Sequence, residues 1–187
     1  MISNIFTKDC FKILTLFSIA PGSRFKRKEI KEKVLLNNVP LDNALKRLFY
    51  ENILKKQNNF HSINFENSVA KEIVSICKKQ YIELKEIPLN VYYLIIDFLD
   101  EIVKQKNLEI YLFGSYSKLI YNDRSDIDIA ILSDDSVDKK QINKVVLKLE
   151  KAYNKKIEVH YFNKRLFYKN KKDPIVKDIL KNGVRLI

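Results

Sequence analysis

Glycine, proline, cysteine and methionine are scarce in this chain and tryptophan is absent: of 187 residues, three are Gly, four Pro, two Cys and one Met. Gly22, Gly114 and Gly183 stand too far apart for a Gly-x-x-x-x-Gly-Lys-Ser/Thr phosphate loop, and none occurs; a kinase-like Gly-rich loop is missing too. Cys10 and Cys77 are far apart with no metal-ligand spacing, which excludes a disulfide framework and fits two small core residues in a reducing compartment. His61 and His160 complete no Cys/His cluster, so a zinc site of that kind is not expected. Long apolar runs are lacking as well. The longest early one, Ile13 to Ala20, is too short and too soon followed by polar sequence for a membrane span or a signal peptide. A soluble, cytoplasmic protein with no membrane association is expected.

Basic residues, by contrast, are in excess: 35 Lys and Arg stand against 23 Asp and Glu, a net charge of +12. The hydrophobic fraction is 46%, enough for two small domains to bury cores of their own. No internal repeat or low-complexity segment interrupts them.

Chemistry is concentrated in the second half. Ile110 to Phe113 is a short apolar run of the kind that forms a buried strand, and Gly114 breaks it where a turn lets backbone approach a ligand closely. Ser115 adds a hydroxyl and a backbone N–H at the expected start of a helix, a setting that favours an anion such as phosphate. In Ser125-Asp126-Ile127-Asp128-Ile129 the residues alternate, so a period of two puts Asp126 and Asp128 on one strand face while Ile127 and Ile129 enter the core. Two carboxylates on one face repel unless a cation neutralises them. A divalent ion, most simply Mg²⁺, uses carboxylate and phosphate oxygens together.

These residues resemble the Gly-Ser…Asp-x-Asp signature of the polymerase-β-like nucleotidyltransferases, and in particular their small minimal nucleotidyltransferase members. The resemblance covers roughly residues 92–187. It implies that Asp126 and Asp128 bind Mg²⁺ or Mn²⁺ and that Gly114 and Ser115 hold the β- and γ-phosphates of a nucleoside triphosphate, expected to be ATP. The family carries a third acid on a neighbouring strand, and the matching segment Lys156 to Phe162 makes Glu158 the candidate. His160 lies two positions further, hence on the same strand face. Lys118, Arg124 and Ser125 flank the motifs and are candidate nucleotide contacts. The closing helix of the family has its match in Asp173 to Gly183, followed by a strand over Val184 to Ile187. One departure stands out: members usually carry a second Gly five positions after the first, where this chain has Leu119. Tyr116 and Tyr121, between the two motifs, are candidates for exposed modification targets.

The first third differs in character. Phe6 to Ala20 has apolar residues at helical spacing and is stopped by Pro21-Gly22-Ser23; Arg27 to Val34 and Leu41 to Asn52 read as two further helices, with a loop over Asn37 to Pro40. Ile53 to Lys56 and Phe60 to Phe65 flank the turn-rich tip Gln57-Asn58-Asn59 and read as a β-hairpin. Three helices and a hairpin in this order resemble the winged helix-turn-helix fold. Residues 1–65 hold 12 Lys and Arg against 5 Asp and Glu, a surplus of 7 within the chain's +12. A basic module of this kind suits the phosphate backbone of duplex DNA. Asn43, Lys46 and Arg47 on the third helix would read the groove, with Lys55 and Lys56 beside the backbone.

Glu66 to Glu86 and Leu89 to Lys106 read as two long helices joined at Pro88. The expected organisation is therefore α+β: a winged helix domain over 1–66, a linker helix over 67–90 serving as a linker or as a homodimer contact, and a mixed-sheet nucleotidyltransferase domain over 91–187. Two functions suit it. One is an enzyme transferring a nucleoside monophosphate, expected to be AMP, to a protein or nucleic-acid hydroxyl. The other is a DNA-binding regulator whose second domain senses nucleotide without turnover. The resemblance to minimal nucleotidyltransferases further implies an antitoxin-like role, with a HEPN-type toxin as partner.

Overall fold

The computed structural model describes residues 2–103, 105 and 107–187, and the chain divides into two compact units, residues 1–86 and 87–187. Both units are built from short elements with buried stripes.

In the first unit a single 3-10 turn over Ile2–Ile5 precedes α1 (Lys8–Ile19), whose N-cap Thr7 accepts a hydrogen bond from the Cys10 backbone N–H at 3.4 Å. Cys10, Ile13, Leu14 and Phe17 make its buried stripe. There follow β1 (Phe25–Lys26), α2 (Arg27–Val34) and α3 (Asn38–Tyr50). α3 begins three residues before the expected Leu41, because Pro40 sits in its first turn, where a missing N–H leaves no bond unmade. β2 (Leu54–Gln57) and β3 (Phe60–Ile63) form the antiparallel hairpin, with Asn58 in the left-handed conformation at its tip (φ 53°). β1 adds to the other edge of β3 and completes a three-stranded sheet, order β1-β3-β2.

The next helix, α4 (Ser68–Glu83), buries Ala70, Val74, Cys77 and Tyr81 along one face and packs on α1. That spacing of four, three and four residues is a one-sided helical stripe, and it makes α4 an integral element of the first unit. The boundary between units falls at 86/87.

The second unit opens with α5 (Leu89–Ile102). The sequence reading extends this helix to Lys106; Lys104 and Lys106 lie outside the described residues. β4 (Glu109–Phe113), α6 (Gly114–Lys118), β5 (Ile127–Ser133), α7 (Lys139–Tyr153), β6 (Ile157–Asn163), α8 (Lys164–Lys169), α9 (Pro174–Asn182) and β7 (Val184–Arg185) complete it. The sequence reading assigns no element to α7, although Ile142, Val145, Val146, Leu149 and Tyr153 recur at helical spacing and are all buried.

The sheet has the order β6-β5-β4-β7. β5 and β6 are parallel, with α7 as the crossover that such a pair requires, while β4 pairs antiparallel with both β5 and β7. Register fixes the two faces. Tyr111, Phe113, Ala130 and Leu132 form one buried cluster with Phe167 of α8 and Val176 and Ile179 of α9. Ile110, Leu112, Ile127, Ile129 and Ile131 are buried on the opposite face, the side left to α5 and α7, which pack on each other.

Candidate active site

At the end of β4, Gly114 opens α6 with a φ of 70°. The conformation favours glycine, and so does the space, since a Cβ built there would lie 1.9 Å from Asp128 Oδ2. Phe113 and Asp128 are register partners across β4 and β5. The Asp128 carboxylate is thereby laid against the turn that ends β4, where the Ser115 backbone N–H favours its ionised form.

The third strand brings two more groups. Glu158 is the register partner of Asp128, and His160, opposite Ala130, follows on the same face. Among the described residues, ligand atoms of Asp128, Glu158 and His160 lie within 4.8 Å of one another. His160 Nε2 is 3.2 Å from Glu158 Oε1, and the imidazole meets the Phe113 ring edge-on at a centroid distance of 5.2 Å.

Asp126 stands exposed immediately before β5 and outside that close group. Its charge still reaches Asp128. The Asp128 carboxyl is held above the ordinary carboxylate range first by burial and then by the Glu158 charge; Asp126 adds to this, while His160 and the Ser115 N–H oppose it. A half-buried carboxyl crowded by like charges is one whose ionised form a divalent cation stabilises. The oxygens of Asp128 and Glu158, with Asp126 adjoining, therefore fit such an ion.

The flanking candidates are engaged in the local structure. Ser125 Oγ accepts from the Asn122 N–H at 2.9 Å, and Ser125 N–H donates to the Asn122 carbonyl at 3.0 Å, closing the turn that contains exposed Arg124. Lys118 forms an ion pair of 2.8 Å with Asp178 of α9, which holds the Asp178 carboxyl below the ordinary range. Leu119 adopts the left-handed conformation (φ 59°) at the end of α6. The chain thus makes at Leu119 a backbone turn that a glycine would make freely, at a cost of about 1–2 kcal/mol for a residue with a Cβ. The expectation that Tyr116 is an exposed target does not hold: its ring is 1% exposed and stacks on Tyr121 at 4.6 Å, because the short α6 turns it inward.

Residues 95–187 match the family described as polymerase beta, nucleotidyltransferase. The second unit carries a nucleotidyltransferase domain. Two solved structures are similar to part of the chain. One is a toxin–antitoxin MntA-HpeT mutant, 26% identical over 50% of this chain and 69% of that one with a TM-score of 0.38. The other is a toxin–antitoxin with AMP-PNP, 28% identical over 50% and 70% with a TM-score of 0.37. No curated protein matches the chain. Among the described residues, no helix is long and apolar enough to cross a membrane.

Around this candidate site, sequence reasoning missed the supports. Lys155 Nζ donates to the Asp123 carbonyl at 2.8 Å, tying the loop before β5 to the end of α7. Lys155 precedes Glu158 in sequence and reads as its charge neighbour; only the parallel pairing of β5 with β6 carries it to the loop.

Proposed function

We propose that the second unit transfers a nucleoside monophosphate, AMP from ATP in the simplest case, to a hydroxyl of a protein or nucleic acid. The observation that carries this reading is the seating of the Asp128 carboxylate against Gly114 with Glu158 directly across the parallel strands. In this reading Asp126, Asp128 and Glu158 hold Mg²⁺ or Mn²⁺. Such an ion, when bound, screens the triphosphate charge and favours ionisation of the acceptor hydroxyl. In this reading the turn at Gly114 and Ser115 holds phosphate oxygens, and Asp126, exposed immediately before β5, faces solvent from which substrate arrives. Exposed Arg124 supplies positive charge at the rim, whereas Lys118 is paired with Asp178 and is the weaker phosphate contact of the two. Attack at the α-phosphate suits a site built on carboxylates, with no Gly-rich loop to cradle a γ-phosphate for transfer.

For the first unit, duplex DNA is the proposed partner. The order helix, short strand, two helices and hairpin, with β1 completing the sheet, is the arrangement expected of a winged helix-turn-helix. Asn43, Lys46 and Arg47 are exposed on α3, and Lys56 is exposed on β2. Lys55 is exposed too but pairs with Glu66 at 3.3 Å, so it is the weaker backbone contact of the two. A HEPN-type toxin is the proposed protein acceptor, on the resemblance of the Gly-Ser…Asp-x-Asp spacing to minimal nucleotidyltransferases. Regulation of transcription by nucleotide sensing alone is the competing reading.

The deciding experiment incubates the protein with α-labelled or γ-labelled ATP, a divalent cation and total cellular protein and RNA. Label from the α-phosphate, and none from the γ-phosphate, is expected to survive denaturing separation on an acceptor. Asp128→Asn is expected to abolish it. Equal labelling by wild type and variant overturns the assignment, and labelling from γ-labelled ATP alone turns the reading into phosphoryl transfer.

A further inference from the structure

The close group at the end of the sheet contains an imidazole, which the acidic motif does not call for. A ring nitrogen of His160 and one carboxylate oxygen each from Asp128 and Glu158 share one small volume, all within 4.8 Å of each other. Three features hold the ring there. β6 runs parallel to β5 in a register that puts His160 two residues beyond the Asp128–Glu158 pair on the same face. Its direct neighbour across the strands is Ala130, fully buried and too small to keep the ring away from Asp128. Phe113 meets the imidazole edge-on at 5.2 Å and 74°, which limits its rotation. Asp126, by contrast, lies outside the group.

We propose that His160 is a metal ligand beside Asp128 and Glu158, and that this nitrogen donor makes the site select a divalent transition-metal ion over Mg²⁺. The inference rests on the nucleotidyltransferase reading of the site and deepens it by naming the class of ion. Mg²⁺ favours oxygen donors and gives up its water reluctantly, whereas imidazole nitrogen is a preferred donor for ions such as Co²⁺, Ni²⁺ and Zn²⁺. In the alternative, Nε2–H simply donates to Glu158 Oε1 across the 3.2 Å gap and orients that carboxylate. The two differ in one measurable way. A ligand changes the ratio of affinities between ions, while an orienting hydrogen bond changes all affinities together.

The test uses the full chain stripped of metal and titrated calorimetrically with Mg²⁺ and with Co²⁺, the latter followed also by its visible absorption. Co²⁺ is expected to bind at least about tenfold more tightly than Mg²⁺, the scale on which groups around a metal act. His160→Ala is expected to remove that advantage and shift the Co²⁺ spectrum, with Mg²⁺ affinity unchanged. His160→Gln, which keeps a hydrogen-bonding amide, is expected to behave as His160→Ala does, and it serves where the alanine variant folds poorly by circular dichroism. If both variants leave the Co²⁺ to Mg²⁺ ratio and the spectrum as in wild type, while Asp128→Asn abolishes cation binding, the imidazole is no ligand and only this inference falls. If Asp128→Asn leaves cation binding intact, the site reading itself falls and the inference with it.

Discussion

The Asp128 carboxylate occupies the space that a side chain at residue 114 would need: a Cβ on Gly114 would stand 1.9 Å from Oδ2 and 2.7 Å from Cγ. The glycine that opens α6 and the second acid of the Asp-x-Asp pair are thus one packed unit, formed where β4 ends beside β5.

Gly114→Ala is accordingly expected to do more than strain the turn. The left-handed φ costs about 1–2 kcal/mol with a Cβ present, and the methyl group must drive the Asp128 carboxylate from its position. Loss of divalent-cation and nucleotide binding is expected, with a stability loss of about 1–3 kcal/mol. Calorimetric titration and chemical denaturation check the two parts; a variant that binds nucleotide as wild type does would refute the seating of Asp128.

Asp128→Asn separates stability from function. In the metal-free protein the ionised carboxylate is opposed by burial and by the Glu158 and Asp126 charges, so the neutral amide is expected to stabilise the fold at neutral pH. Transfer of label is expected to vanish in the same variant. Thermal denaturation in the presence of a chelator reads the first effect; adding cation should then raise the midpoint of wild type and leave that of the variant in place.

Much of this site is legible in the sequence, because it depends on periods the residues display. Gly114-Ser115 after an apolar run, and acids alternating with isoleucines, announce a strand end and a carboxylate face. The spacing of Glu158 and His160 likewise announces a shared face. What the sequence does not show is set by pairing between distant segments. Asp126 and Asp128 look equivalent by alternation, yet β5 starts after Asp126, so Asp128 alone joins the close group with Glu158 and His160. Lys118 looks like a free phosphate contact until α9 folds over α6 and Asp178 meets it. The Glu109 network is similarly hidden, being assembled from β4, α8 and β7.

That network carries a pH dependence. Glu109 is 8% exposed and receives Lys164 Nζ at 2.6 Å, the Tyr168 hydroxyl at 2.5 Å and Arg185 at 3.7 Å. Burial opposes its ionisation, but the Lys164 and Tyr168 hydrogen bonds, with the charges of Lys164 and Arg185, outweigh it and hold the carboxyl below its ordinary range. A depressed carboxyl contributes stability above its unfolded value of about 4.3 and loses it as pH falls through the folded value. Glu109→Gln is expected to cost about 1–3 kcal/mol at neutral pH. The difference from wild type should shrink below about pH 4; a gap that stays constant on acidification would show that the charge is not what holds α8 to the sheet.

The two units also make separable predictions. Lys46 and Arg47 are adjacent and exposed on α3, so reversing both to Glu replaces attraction to phosphate by repulsion. Wild type is expected to retard duplex DNA with strong salt dependence, each phosphate contact contributing about 0.9 to the slope of log affinity against log salt. The double variant is expected to retard no duplex of any sequence, since two acids on the groove-facing helix are repelled by the phosphates of every sequence. Nucleotide and cation binding by the second unit should be unchanged, because none of its ligands lies in residues 1–86. Should wild type, folded by circular dichroism, retard no duplex even at low salt, DNA binding by the first unit is refuted and α3 is better read as a protein-docking helix. Nucleotidyl transfer by the second unit would stand regardless.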